Sequence, residues 1–119
     1  LTRMIQESLY KAGYTNVVNF NNGKEAWEYL LAAKKEGTLW MKADLIITDI
    51  EMPEMDGHRL TKLVKSDEEM KKLPLIIFSS LINREMWIKG KDLGADEQLS
   101  KPEIGRLVQV MDDLLERRQ

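Results

Sequence analysis

The chain has 119 residues, 43% of them hydrophobic, and its 18 Lys and Arg against 20 Asp and Glu give a net charge of −2. This length suits one compact domain over residues 1–119, and the composition excludes collagen-like, low-complexity and disordered chains. The sequence has no basic stripe of the kind that binds nucleic acid, and no apolar run in it reaches the ~20 residues of a membrane span. The absence of cysteine and the single histidine, His58, exclude disulfides, thiol catalysis and sites built from several cysteines or histidines.

Helical and extended patterns alternate along the chain, with short connections between them. The predicted elements are, in chain order, a helix over 1–12, a strand over 17–20, a helix over 24–36, a strand over 45–48, a helix over 60–70, a strand over 75–78, a helix over 84–93, a strand over 97–100 and a helix over 104–115. The continuous apolar runs at 45–47 and 75–78 are typical of strands buried on both faces. The sequence therefore predicts an α/β fold, a parallel sheet flanked by helices on both faces.

Three of these predicted strands end in side chains that can do chemistry. Asp49 follows one strand, Ser79 follows the next, and Lys101 follows the last. In a parallel sheet these ends lie on one edge, so a carboxylate, a hydroxyl and an ammonium surround one small volume. A carboxylate can attack a phosphoryl group, and cations and donors around the phosphoryl oxygens supply most of the catalysis.

Each of these residues alone has a more ordinary interpretation, as a turn former, a loop hydroxyl or a solvated lysine, and only the combination favours function. His58 is interpreted as a surface residue at a helix start. The acidic residues Glu51, Glu54 and Asp56 do not form a calcium loop, because glycine is absent from the sixth position of a loop that starts at Asp49. Neither a glycine-rich phosphate loop nor a Gly-x-Ser-x-Gly turn occurs.

Three stretches of the sequence are informative together: Asp-Ile-Glu-Met-Pro-Glu-Met-Asp-Gly at 49–57, Leu-Ile-Ile-Phe-Ser at 75–79 and Lys-Pro at 101–102. In this combination they resemble the CheY-like receiver domains of two-component response regulators. The resemblance covers essentially the whole chain and implies the flavodoxin-like receiver fold. Two stretches look most like the receiver of CheV-type chemotaxis coupling proteins. They are the 49–57 stretch together with the His-Arg-Leu-Thr that follows it, and Ser-Ser-Leu-Ile-Asn at 79–83.

The resemblance assigns roles by matched position. It implies Asp49 as the phosphoacceptor and a Mg²⁺ ligand, Ser79 as the hydroxyl that turns toward the phosphoryl group, Lys101 as the cation on a phosphoryl oxygen, Glu51 as a backbone-carbonyl ligand of Mg²⁺, Gly57 as the residue of a tight turn, and Pro102 as the residue after a cis peptide bond.

The chain departs from the family at two places. Receivers begin with a central strand that ends in an acidic pair, which helps to bind Mg²⁺, whereas this chain is expected to begin at Leu1 inside the first helix, as an N-terminally truncated receiver. The switch position in the last strand, often Tyr or Phe, is Gln98. We therefore expect weak Mg²⁺ binding and a weak switch.

The resemblance implies a phosphoacceptor that takes its phosphoryl group from a histidine kinase similar to CheA. It implies a cytoplasmic signalling domain that catalyses only its own phosphorylation and hydrolysis, following a CheW-like adaptor in the full protein. Two alternatives stay open: an interaction-only pseudo-receiver, and a haloacid-dehalogenase-like phosphatase. The phosphatase fits less well, because Glu51 stands where that family has a second aspartate.

The expected lack of a central strand has a physical consequence. Unpaired backbone groups along an empty slot would each cost about 1–3 kcal/mol, so either the flanking strands close up or another chain covers the slot. We expect oligomers to form through this slot.

Overall fold

The computed structural model describes residues 3–80 and 82–117, apart from the side chains of Arg3, Met4 and Pro102. The predicted place of Leu1 in a helix and the role expected of Pro102 lie outside the described atoms. The elements are helices α1 (Arg3–Lys11), α2 (Gly23–Glu36), α3 (Leu39–Lys42), α4 (Gly57–Ser66), α5 (Arg84–Leu93) and α6 (Ile104–Arg117), strands β1 (Ile46–Thr48), β2 (Leu75–Ser79) and β3 (Glu97–Ser100), and 3₁₀ turns at Met70–Lys72 and Lys101–Glu103.

The three strands form a parallel sheet in the order β1-β2-β3. Strand β2 lies in the middle and is buried along its whole length, as its continuous apolar sequence predicts. The register pairs Ile47 with Ile76 on one side and Ser79 with Ser100 on the other. The predicted parallel α/β fold is therefore confirmed.

Helices cover both faces of the sheet, because side chains alternate along β2. Ile76 and Phe78 pack with apolar residues of α1 and α6. Leu75 and Ile77 face the opposite way, toward apolar residues of α2, α3 and α4. Among the described helices, none combines the length and the apolar character that crossing a membrane requires.

An ion pair at the opposite edge of the sheet fixes where β2 begins. Lys65 Nζ lies 2.8 Å from Asp96 Oδ2 and also donates to the Leu73 carbonyl at 2.7 Å. The same Asp96 oxygen accepts the Leu75 N–H at 2.7 Å. These bonds tie the end of α4 to the starts of β2 and β3, so they help to set the register that carries the site.

Two sequence predictions are wrong in this region of the fold, and one element was missed. Residues 14–20 form neither helix nor strand, so the predicted strand over 17–20 is absent. A strand needs a neighbour for its backbone groups, and the described residues place none beside this segment. The predicted helix over 60–70 ends at Ser66, and Met70 belongs to a separate 3₁₀ turn. The four residues of α3 are too few to show a helical period.

A groove of about 700 Å³ separates residues 16–22 from the free edge of β1. Its lining includes Leu30 and Leu60 from one apolar cluster and Leu9 and Phe78 from the other. The two sides have therefore not closed onto each other, and the groove reaches both layers of the core.

We expect the chain of residues 1–119 to associate with itself through this groove, because burying the β1 edge and the apolar lining against a second copy removes both from water. Size-exclusion chromatography with light scattering should give a mass above the 13.8 kDa of the monomer. Substituting Val18→Lys, at a groove residue that is 52% exposed, should shift the mass toward the monomer.

The matched control is Ile88→Lys, which places the same charge on a similarly exposed residue of α5, away from the groove. A wild-type chain that stays monomeric at every concentration, or two substitutions with equal effects, would contradict the prediction.

Candidate functional site

The structure brings together the three side chains that the sequence places at the strand ends. Asp49 follows β1, and its Oδ1 accepts a hydrogen bond of 2.7 Å from Ser79 Oγ at the end of β2. The other oxygen, Oδ2, lies 3.1 Å from the ammonium of Lys101, which follows β3. One carboxylate therefore links the ends of all three strands.

Backbone donors complete the surroundings of this carboxylate. The Ile50 N–H donates to Asp49 Oδ1 at 2.7 Å, and the Glu51 N–H reaches the same oxygen at 3.4 Å. These donors are not predicted by the sequence, because a backbone N–H leaves no mark in the residue pattern. They appear here because the chain turns directly after Asp49.

The carboxyl group of Asp49 titrates below its ordinary range. Burial by itself would raise its pKa, but the hydrogen bond from Ser79, the Lys101 ammonium and the Ile50 N–H together lower the pKa. Asp49 is therefore ionised at neutral pH, as a nucleophile must be.

The sheet register and the turn after β3 position the other two groups. Ser79 pairs with Ser100, so the next residue, Lys101, emerges at the same edge. Glu103 accepts hydrogen bonds from the N–H and the hydroxyl of Ser100, at 3.1 and 2.9 Å, which fixes the turn that carries Lys101.

The loop from Asp49 to α4 is held in one conformation by close backbone contacts. The Gly57 N–H donates to the Ile50 carbonyl at 2.9 Å, and a Cβ at Gly57 would lie 1.8 Å from the Asp49 carbonyl oxygen. Asp56 caps α4 by accepting the Arg59 N–H at 2.8 Å. Gly57 is therefore required by space, and its contact supports the backbone of Asp49.

His58 lies in the interior, so its interpretation as a surface residue is wrong. Its exposed fraction is 5%, and Nε2 is buried without a hydrogen-bond partner among the described residues. The residue follows Gly57, which packs on the backbone at Asp49, and α4 lies against α5. The sequence gives no sign of this burial, because packing between elements that are distant in sequence determines it.

Gln98 lies in β3 with its side chain against α5. Its Nε2 donates to the Trp87 carbonyl at 2.7 Å, and a Cβ on Gly90 would lie 2.3 Å from its Oε1. The amide is thus held in one position by the helix that it contacts.

The described residues do not supply a full set of metal ligands at Asp49. They contain no group of three or more Asp, Glu or His side chains that could hold a metal ion. Asp49 Oδ2 already faces the Lys101 ammonium, and Oδ1 already accepts two hydrogen bonds within 3 Å. Mg²⁺ prefers six oxygen ligands, so Asp49 and a carbonyl of Glu51 would leave most positions to water or substrate.

We expect Gly57→Ala to lower the free energy of unfolding by about 3 kcal/mol, because the added methyl group overlaps the Asp49 carbonyl oxygen. Gly105→Ala is the matched control, since a Cβ at Gly105 meets no atom within 4 Å and alanine favours a helix by up to about 1 kcal/mol. Urea unfolding of both variants checks the prediction, and equal stabilities would contradict it.

Comparison with known proteins identifies the family and the relatives that this chain is similar to. The family described as response regulator receiver domain matches residues 1–112. Chemotaxis protein CheY1 of Helicobacter pylori (strain ATCC 700392 / 26695) is 34% identical over 104 residues, which cover 86% of this chain and 77% of that protein. A gliding motility regulatory protein of Myxococcus xanthus is 34% identical over 117 residues, 98% of this chain but only 14% of that longer protein.

Solved structures show the same fold. The phosphorylated cyanobacterial phytochrome response regulator RcpA aligns with a TM-score of 0.72 and 31% identity, over 96% of this chain and 82% of that one. The receiver domain of sensor histidine kinase PA1611 from Pseudomonas aeruginosa PAO1, which has a magnesium ion coordinated in its active site cleft, aligns with a TM-score of 0.75 and 20% identity. It covers 95% of this chain and 86% of its own, and at this identity the likeness concerns the fold alone.

Proposed function

Because this chain belongs to the response regulator receiver family, we propose that it receives a phosphoryl group from a histidine kinase on the carboxylate of Asp49. One observation carries the proposal: the Asp49 carboxylate lies between the Ser79 hydroxyl and the Lys101 ammonium, at 2.7 and 3.1 Å. A nucleophile, a donor and a cation are the groups that phosphoryl transfer requires of a protein.

In the proposed reaction, an oxygen of ionised Asp49 attacks phosphorus while the P–N bond of the kinase phosphohistidine breaks. The electron pair of that bond stays on the imidazole, and an acyl phosphate forms on Asp49. Lys101 and Ser79 then turn from the carboxylate to the phosphoryl oxygens, where charge and a hydroxyl donor stabilise the transferred group. Water later attacks the acyl phosphate and returns Asp49 to its resting state.

Divalent metal is the part of the family chemistry that these residues support least. A bound Mg²⁺ would neutralise phosphoryl charge, and Asp49 with the Glu51 carbonyl are the groups we would assign to it. Because the described residues offer no further carboxylate set, we propose that charge neutralisation rests mainly on Lys101.

The finer assignments are proposals as well. We propose a chemotaxis pathway, a CheA-like kinase, a CheV-type protein with a CheW-like adaptor, and a cytoplasmic location, supported by the residue pattern at 49–57 and 79–83 and by the likeness to CheY1. In this role the chain acts on no external substrate. Its output is a changed interaction surface. The Gln98 amide is held by its hydrogen bond to the Trp87 carbonyl, which supports the expectation that phosphorylation changes the surface of α5 and β3 only slightly.

An interaction-only role is the second candidate, favoured by the incomplete ligand set at Asp49. It differs from the first in one measurable step, the formation of an acyl phosphate.

We expect Asp49→Asn to abolish phosphorylation and to leave the fold intact, because it removes the nucleophile but little volume. The chain is incubated with acetyl phosphate and Mg²⁺, and mass spectrometry is used to look for an adduct of about 80 Da that is labile to base. Glu54→Gln, in the same loop, should keep the adduct. Labelling of the Asp49→Asn variant at the wild-type level would contradict the assignment of Asp49 as the phosphoacceptor. A wild-type chain without any adduct would favour the interaction-only role.

We expect Mg²⁺ to bind residues 1–119 weakly, with a dissociation constant of about 1 mM or more, because few protein oxygens are free to replace its hydration shell. Isothermal titration calorimetry measures this directly. Binding in the micromolar range, lost in Asp49→Asn, would show that the described residues do form a metal site.

A further inference from the structure

Thr48 is the last residue of β1, and it is buried, with an exposed fraction of 3%. Side chains alternate along a strand, so Thr48 lies on the same face as Ile46, which packs against the apolar residues of α2, α3 and α4. Valine has almost the shape of threonine and would fill this position without an oxygen that must leave water. A buried hydroxyl here therefore requires a hydrogen-bond partner, and the identity of that partner indicates what the residue does.

The partner is the backbone of the next residue. Thr48 Oγ1 donates to the Asp49 carbonyl oxygen at 2.9 Å, whereas Met52 Sδ lies 4.0 Å from the same hydroxyl. A hydroxyl has one proton, and the shorter contact with the stronger acceptor takes it. The same carbonyl oxygen is in close contact with Gly57, where an added Cβ would lie 1.8 Å from it. The oxygen is therefore confined by the Thr48 hydroxyl and by the first residue of α4.

The carbonyl of Asp49 and the N–H of Ile50 belong to one peptide unit. This unit is planar and trans, so its oxygen and its N–H point in opposite directions. The oxygen accepts the Thr48 hydroxyl, and the N–H donates to Asp49 Oδ1 at 2.7 Å. Fixing the oxygen of a rigid plane also fixes the direction of its N–H. The Thr48 hydroxyl thus acts on the carboxylate of Asp49 through the backbone.

The two oxygens of the Asp49 carboxylate are held unequally. Oδ1 accepts the Ile50 N–H and the Ser79 hydroxyl, both at 2.7 Å, while Oδ2 lies 3.1 Å from the Lys101 ammonium. A backbone N–H bonds a carboxylate more strongly than it bonds a neutral oxygen, which keeps Oδ1 in place. The Lys101 side chain is 35% exposed and can move aside. Oδ2 is therefore the oxygen that can face an incoming group.

We propose that Thr48 is a positioning residue, whose hydroxyl fixes the Asp49–Ile50 peptide unit and thereby holds Oδ1 and presents Oδ2 as the attacking oxygen. The attack by Oδ2 rests on the function proposed for Asp49, whereas the link from the hydroxyl to the Ile50 N–H does not. Without the hydroxyl the peptide plane tilts, and the Ile50 N–H moves away from Oδ1. The carboxylate then spends less time in the orientation that attack requires.

Hydrogen exchange of backbone amides, followed by NMR on the chain without a phosphoryl donor, tests the link to Ile50. In Thr48→Val, which keeps the shape and removes the hydroxyl, protection of the Ile50 amide should fall about tenfold, as the loss of one hydrogen bond predicts. In Thr48→Ser, which keeps the hydroxyl and loses a methyl group, protection should stay at the wild-type level. The amide of Leu107, buried in α6, reports general stability and should keep its protection in both variants.

The two variants distinguish positioning from packing because the two roles rank them in opposite order. A loss of packing alone would affect Thr48→Ser more than Thr48→Val, since serine leaves a small cavity in a buried face. Thr61→Val is the matched control, because Thr61 is also buried and its hydroxyl donates to the Gly57 carbonyl at 2.7 Å, within α4. This control should leave the protection of the Ile50 amide unchanged.

Phosphorylation by acetyl phosphate with Mg²⁺ tests the attack by Oδ2. The Oδ2–P bond forms while the P–O bond to acetate breaks, and acetate leaves with the electron pair. The rate of adduct formation should fall about tenfold or more in Thr48→Val and should be restored in Thr48→Ser, because a misaligned nucleophile slows the reaction strongly.

The two measurements fail separately. Equal protection of the Ile50 amide in wild type and Thr48→Val, or lower protection in Thr48→Ser than in Thr48→Val, would overturn the positioning role whatever happens with acetyl phosphate. Equal adduct rates in wild type and Thr48→Val would overturn the part of Thr48 in the reaction. A chain that shows the Ile50 effect but forms no adduct would overturn the function proposed for Asp49, and with it the attack by Oδ2, while it would confirm that Thr48 positions the Ile50 N–H.

Discussion

The carboxylate of Asp49 is the point at which side chains join the ends of all three strands. Its two oxygens take a hydroxyl from β2 and an ammonium from the turn after β3, and the carboxylate itself follows β1. A shift of one residue in either register would turn Ser79 or Lys101 to the other face of the sheet. The chemistry therefore depends on strand pairing, and β2, buried along its length, is the strand that holds both neighbours in place.

The register is set at the other end of the sheet, far from Asp49. There Asp96 accepts the N–H of Leu75 and the ammonium of Lys65, which joins α4 to the first residues of β2 and β3. At the site end, Gly57 begins the same helix and rests on the backbone of Asp49. Helix α4 thus spans the sheet and ties the position of the Asp49 carboxylate to the start of the strand pairing.

The sequence was most informative where burial is continuous along one segment. The apolar runs at 45–47 and 75–78 predicted two strands, which the structure has at Ile46–Thr48 and Leu75–Ser79, and the residues that follow the runs predicted the site edge. The local sequence pattern gave wrong predictions where contacts with residues distant in sequence determine the structure. Residues 17–20 have the composition of a strand, but no described residue pairs with them, and His58, which the sequence places at the surface, is 5% exposed in the folded chain.

In its resting state the site is occupied by its own side chains, and the two that hold Asp49 differ in access to solvent. Ser79 is 3% exposed, whereas the Lys101 side chain is 35% exposed and long enough to swing outward. Exposed side chains change rotamer within nanoseconds, far faster than an encounter between two proteins that must also align. In the proposed reaction, a phosphoryl donor would therefore meet an opening on the Lys101 side of the carboxylate. The rate of the proposed transfer would then depend on docking of the donor and on the chemistry, and not on the clearing of the site.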